Sequence, residues 1–321
     1  MDERAYWVGL NLVKGIGAAR FKTLVDYFGS PQAAWEAPAA ALYATELPKA
    51  VIEELVAVRD RTDLDAIFDQ YASEGITLLT PNDEGYPQRL KKIDLPPPVL
   101  WVLGEITPQD DWVVAIVGTR RTSHYWEQAA EEFASFLAHN GVTVVSGLAR
   151  GIDSIAHRAA LDAGGRSIAV LGSGVDRVYP AENRRLAAQK REQGAVISDY
   201  APGTPPDGVN FPPRNRIIAG LSIAVIVVEA GQRSGATITA NFALEQGREV
   251  FALPGNIYSP QSKGTNKLIQ DGAHPLLAPE DLLEALNLTM VTEHQSARMV
   301  LPENATEAAI FDKPQPRAGA C

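Results

Sequence analysis

Trp112-Val113-Val114-Ala115-Ile116-Val117-Gly118-Thr119-Arg120-Arg121-Thr122-Ser123 decides the fold. Six apolar residues run without alternation and stop at a glycine. A run of this kind is expected of a strand buried on both faces. Small residues, two arginines and three hydroxyls then lead into a helical pattern over 124–139. Strand, glycine turn and helix in that order begin a βαβ unit. The alternation repeats downstream. Strands are predicted at Val142–Val145, Ser167–Leu171, Ala195–Ser198, Ile223–Glu229, Glu249–Leu253 and Ala273–Leu277. Helices are predicted over 151–164, 181–193, 214–220, 236–247, 263–271 and 279–286. The pattern specifies an α/β protein with a mostly parallel sheet and helices on each side.

Upstream, residues 1–80 read as a helical unit. Val8, Leu12, Phe21, Leu24, Val25 and Phe28 are spaced to line helical faces. Ser30-Pro31 and Leu47-Pro48 break the helices, and a long amphipathic helix is predicted over Ile52–Ala72. Short strands are predicted at Ile76–Thr80 and Val99–Leu103, on either side of the stiff Leu95-Pro96-Pro97-Pro98 linker. The α/β domain is expected over 81–288. Residues 289–321 read as an acidic, proline-containing tail.

Of the 321 residues, 45% are hydrophobic and 21% charged, as in ordinary globular domains. No apolar run reaches the roughly 18 residues of a membrane span. The start lacks signal-peptide order, and a lone cysteine, Cys321, excludes an internal disulfide framework. A cytoplasmic protein without metal or cofactor is the expectation. The net charge of −10 is unevenly spread. Residues 1–80 carry −5 and 276–312 carry −6, whereas 81–275 carry only −1. A polyanion site would therefore be a local groove rather than a basic face.

The chemistry gathers where strands end. Gly118 to Ser123 offers free amides, hydroxyls and arginine forks to a phosphate, although a capped turn would use the same residues. Neither the dinucleotide G-x-G-x-x-G nor a P-loop is present. Ser146-Gly147-Leu148-Ala149-Arg150-Gly151-Ile152-Asp153 suits a turn lining the same edge. Ser146, Asp153 and His157 include a hydrolase triad's residue types, but the nucleophile-elbow pattern is absent. Leu171-Gly172-Ser173-Gly174 and Tyr179-Pro180 follow the third strand. Asn210-Phe211-Pro212-Pro213-Arg214-Asn215-Arg216 places an aromatic ring beside guanidinium groups, the pairing that single-stranded nucleic acid uses. The alternative is a core Phe211, with Arg214 or Arg216 paired to Glu229 or Asp199. Ser234-Gly235-Ala236-Thr237 is an anion cradle or a helix cap. Val13-Lys14-Gly15-Ile16-Gly17-Ala18-Ala19-Arg20 has the Gly-apolar-Gly hairpin between two helices, which either offers backbone amides to a DNA phosphate or is only structural.

Together these motifs resemble the DNA-processing protein A family (DprA/Smf). The resemblance runs from about Leu10 to Leu286. It rests on Val117 to Arg120, Ser146 to Asp153, Leu171 to Gly174, Phe211 to Leu221, Ser234 to Ala240 and Pro254-Gly255-Asn256, in that order. It implies an extended, doubly wound Rossmann-like domain behind a small helix-hairpin-helix or SAM-like domain. It implies a non-enzymatic protein that binds single-stranded DNA without sequence preference. Such a protein protects incoming strands in natural transformation and loads the RecA recombinase on strands coated by single-strand-binding protein. Residue by residue, the DNA site would use Gly118, Thr119, Arg120, Phe211, Arg214, Asn215, Arg216, Ser234, Gly235 and Thr237. Arg121, Ser146, Gly147 and Gly172 complete the candidate set. A homodimer is implied, with Leu268 and Ile269 the candidate surface.

The chain departs from the family in two respects. Residues 287–321 are too few for the winged-helix module of many members. Ala181 follows Tyr179-Pro180, where some relatives carry lysines near the pocket. The competing reading is a nucleotide-processing enzyme of the phosphoribohydrolase group, which has a similar fold. The Pro-Gly-Gly-x-Gly-Thr signature of that group is missing from Gly231–Thr237.

Overall fold

The computed structural model describes residues 2–286; the predicted tail lies outside them. One nine-stranded sheet organises the chain. Its strands are β1 (Ile76–Leu79), β2 (Leu100–Gly104), β3 (Val113–Val117), β4 (Thr143–Ser146), β5 (Ser167–Val170), β6 (Gly194–Ser198), β7 (Ala224–Val227), β8 (Glu249–Ala252) and β9 (His274–Pro275). The spatial order is β1-β2-β6-β5-β4-β3-β7-β8-β9. Neighbours from β6 to β9 pair in parallel, and β2 joins β1 and β6 antiparallel. Every residue of β3 to β7 is buried, which is why these strands read as unbroken apolar runs.

The helices before the sheet are α1 (Arg4–Leu12), α2 (Ala18–Phe28), α3 (Pro31–Glu36), α4 (Ala39–Leu42), α5 (Lys49–Arg61) and α6 (Leu64–Ser73). Those that follow are α7 (Gln88–Lys91), α8 (His124–His139), α9 (Ile152–Asp162), α10 (Arg184–Lys190), α11 (Phe211–Leu221), α12 (Gly235–Glu245), α13 (Lys263–Gln270) and α14 (Glu280–Ala285). Alternate strand residues feed two cores. Val113, Ala115 and Val117 pack with α11 and α12 residues such as Ile217 and Ala240. Val114 and Ile116 pack with Phe133, Leu137 and Ala156 of α8 and α9. No helix among the described residues is long and apolar enough to cross a membrane.

Two predicted helices differ from the observed ones. The helix expected over Ile52–Ala72 breaks at Thr62, because the Asp63 side chain accepts the amides of Asp65 and Ala66 and starts a new helix. The helix expected from 214 begins at Phe211, with Pro212 and Pro213 in its first turn, where a missing N–H costs nothing. The first six helices share a core of their own, including Leu10, Leu24, Leu42 and Leu55. Helix α1 also packs Val8 against Ile76, Leu78 and Trp101 of the sheet. Asn11 bridges the two layers. Its amide donates to the Asp199 carbonyl at 3.2 Å, and its oxygen accepts from the Trp101 indole at 3.0 Å.

Candidate nucleic-acid interface

From β3 at the centre, the chain winds outward through β4, β5 and β6, then returns to lay β7 on the other flank of β3. Connections that leave β3 and β7 in opposite directions open a crevice at the carboxyl ends of the strands. A cleft of about 690 Å³ lies there. The loop after β3 contributes Gly118, Thr119, Arg120 and Arg121. Helix α11 contributes Phe211, Arg214 and Asn215, and the start of α12 contributes Ser234 and Gly235.

The β3 loop is pinned from behind. The Ile152 amide donates to the Thr119 carbonyl at 3.2 Å. Gly151 makes this possible: its φ is +71°, and a Cβ there would lie 2.3 Å from the Thr119 carbonyl oxygen. Arg120 and Arg121 are exposed, and their guanidinium groups form no ion pair or hydrogen bond among the described residues. They stand at the mouth of the cleft as cations free of any ion pair among the described residues.

Phe211 is half-buried and surrounded by partners. The Tyr179 ring stacks against it with centroids 5.7 Å apart and planes 29° apart. The guanidinium carbons of Arg120 and Arg214 each lie 5.9 Å from its centroid, within cation–π range. Behind the ring, a Cβ on Gly172 would come within 2.8 Å of Phe211. Gly172 therefore seats the ring. Tyr179 is 45% exposed. The motif reading puts Tyr179-Pro180 at the ligand edge but does not single out Tyr179 as a site residue. Nothing in the sequence distinguishes it from other loop residues without the ring-to-ring distance.

Arg214 differs from the predicted surface arginine. It is 5% exposed and donates to the carbonyls of Gly147 (2.9 Å) and Val170. Its Nε donates to the Asn215 side-chain oxygen, and the Asn215 amide reaches the Gly235 carbonyl at 3.3 Å. Burial pulls the Arg214 pKa down to about 10, with Asp153 opposing the shift. Arg214 thus forms a fixed positive floor and stitches four segments together.

Five predicted residues stand outside the cleft. Arg216 pairs with Asp199 at 2.8 Å and donates to the Leu95 carbonyl. Two residues along a helix is more than half a turn, so it faces away from Arg214. The Thr237 hydroxyl donates to the Ser234 carbonyl at 2.6 Å, and the Ser234 hydroxyl caps α12 through the Ala236 amide. Ser146 is fully buried and donates to the Ile116 carbonyl. Gly147 and Gly172 support Arg214 and Phe211. In α13, Leu268 is 8% exposed and belongs to the core, so it offers no surface; Ile269 is half-buried against the same core.

The Ser146, Asp153 and His157 set does not assemble as a triad. Asp153 accepts the amides of Gly147 and Ala149. His157 Nδ1 lies 2.7 Å from the Ser167 hydroxyl, which also accepts from Lys190 Nζ at 2.9 Å. The Ser167 hydroxyl also donates to the Val144 carbonyl at 2.9 Å. His157 and Lys190 are both fully buried, and burial holds each pKa well below its usual value. Glu229, 3% exposed at the end of β7, is pushed up to about 7 by burial.

The family model described as DNA recombination-mediator protein A matches residues 77–287, well over half of the chain. The chain belongs to the DNA recombination-mediator protein A family. Protein Smf of Synechocystis is 38% identical over 306 residues, covering 94% of this chain and 77% of that protein. Protein Smf of Escherichia coli is 49% identical over 65% of this chain, and the match spans 56% of that protein's length. The structure of DNA processing protein A from Streptococcus pneumoniae superposes with a TM-score of 0.75 at 34% identity, covering 87% of this chain and 97% of that one. The Helicobacter pylori protein, whose structure is described by its single-stranded DNA binding mode, gives a TM-score of 0.59 at 31% identity, covering 66% and 95%. These matches bear out the predicted α/β sheet and the family resemblance.

Proposed function

We propose that this member of the recombination-mediator family binds single-stranded DNA, without sequence preference, in the cleft between the β3 and β7 loops. One observation carries the reading: two arginines free of ion pairs among the described residues stand beside the stacked Phe211–Tyr179 pair. Phosphates meet Arg120 and Arg121, while a base stacks on the ring pair. Aromatic faces accept any base, which explains binding without sequence readout. The single-stranded DNA mode described for the Helicobacter relative supports the same assignment. In this reading the strand is incoming DNA in natural transformation. The protein protects it and loads RecA on strands coated by single-strand-binding protein, acting as a homodimer and without catalysis.

The test is fluorescence anisotropy of a labelled oligo-dT against duplex of equal length, at two salt concentrations. Wild type should prefer the single strand in a salt-sensitive way, and Arg120→Ala should weaken it about tenfold or more. Equal, weak binding to both forms, indifferent to Arg120, would point instead to a small nucleotide and a search for turnover.

A further inference from the structure

A second hollow of about 330 Å³ opens on the same edge of the sheet. It is lined by Tyr125 and Trp126 of α8, by Gly255, Asn256 and Ser259 of the loop after β8, and by Ser262. The hollow and the main cleft share their walls. The segment that presents Arg120 and Arg121 to the cleft continues four residues to Tyr125. Gln261 lines the cleft, and Ser262 lines the hollow.

Tyr125 has no packing reason to be aromatic. Its side chain is 66% exposed in the first turn of α8. Its position is nonetheless fixed, because Trp126 meets it edge-on with centroids 4.7 Å apart at 75°. Trp126 is only 6% exposed and lies so close to Gly255 that a Cβ there would come within 2.9 Å of the indole. The polar groups around the ring are uncommitted. Ser262 is 1% exposed, yet its hydroxyl has no hydrogen-bond partner among the described residues. The Asn256 oxygen accepts the Tyr258 amide at 2.9 Å, leaving its side-chain amide free to donate.

The charges suit a polyanion. Arg121, at the cleft, and Arg233, one residue before Ser234 of the cleft, are exposed, and neither is in an ion pair among the described residues. The nearby acidic groups are restrained. Glu229 is buried and its proton affinity raised, while Glu127 faces His124 at 3.8 Å. A rigid exposed ring, free donors and adjoining cations are the components of a base-stacking platform.

We infer that the Tyr125 hollow is a second subsite for the same single strand, where a nucleotide beyond the Phe211–Tyr179 cleft stacks on Tyr125 and meets Asn256 and Ser262. The inference rests on the cleft reading, and the contact is independent of base identity. The strand crosses from one hollow to the other over the β3 loop, passing Arg121.

Strand length separates the two readings. Anisotropy titrations would compare oligo-dT of about 4 and about 12 nucleotides, within the range of known single-strand site sizes. Wild type should gain affinity from the short strand to the long one. Tyr125→Ala should cut that gain about tenfold, the loss expected of one stacked base, whereas Tyr125→Phe should keep it. A full gain in Tyr125→Ala, with Arg120→Ala weakened on both strands, overturns the subsite and leaves the cleft standing. Binding that neither variant weakens overturns the cleft, and the subsite with it.

Discussion

Arg214 and Arg216 stand two positions apart in one motif but act differently. Arg214 is a buried tie beneath the Phe211 ring, and Arg216 is locked to Asp199 on the far side of the helix. We therefore predict that Arg216→Ala lowers the urea midpoint while changing strand affinity little. Tyr179→Ala should do the reverse, weakening oligo-dT binding by roughly 1–3 kcal/mol, the range for a lost base–aromatic stack. Equilibrium unfolding and anisotropy on both variants check this, and a large affinity loss in Arg216→Ala would contradict it. The sequence made the residue types of the site legible, because glycines, hydroxyls and arginines cluster at strand ends. It did not separate Gly118, which lines the cleft, from Gly172, which seats a ring. Nor did it distinguish the free guanidinium of Arg120 from the committed one of Arg216. Those differences depend on partners 17 to 121 residues away, such as Asp199 and Leu95.

At the scale of elements, apolar runs located β3 to β8 within a residue or two, because each strand is buried on both faces. Helix boundaries were less visible. The apolar spacing runs through Thr62-Asp63, so only the cap chemistry marks the break between α5 and α6. Helix α11 starts three residues earlier than its proline pair suggested. A further property of the elements is the buried chain joining α9, β5 and α10 through His157, Ser167 and Lys190. The Lys190 pKa is lower in the folded protein than in the unfolded chain, where it is about 10.4. Between the lowered folded pKa and the unfolded one, the unfolded chain binds the extra proton. This contribution makes stability rise with pH until the unfolded lysine also loses its proton. We predict that Lys190→Met is at least as stable as wild type at pH 7 and that its relative advantage shrinks by pH 9. Urea denaturation at the two pH values checks the sign; an advantage that grows with pH would mean that the buried amine is charged.

At the scale of the whole molecule, a net charge of −10 coexists with a site for a polyanion. The two are compatible because the acidic excess lies in residues 1–80 and 276–312 of the sequence, whereas 81–275, which hold the cleft residues, carry only −1. Few cations face the strand, so few counterions are released on binding. For about two to four phosphate contacts, log K against log salt should fall with a slope of only about −1.5 to −3. Titrations from low to moderate salt measure it, and a slope near −7 would require a much wider basic track than Arg120, Arg121 and Arg233 provide. The Asn11 bridge has a consequence for dissecting the molecule. Asn11 satisfies the Trp101 indole and reaches the Asp199 backbone, while the Asp199 carboxylate holds Arg216 on α11. A truncation beginning near residue 75 would leave that indole N–H without its partner and expose the apolar face that α1 covers. The edge of the sheet is thus covered from the first dozen residues of the chain, and such a truncation should unfold at a lower urea midpoint than the full chain.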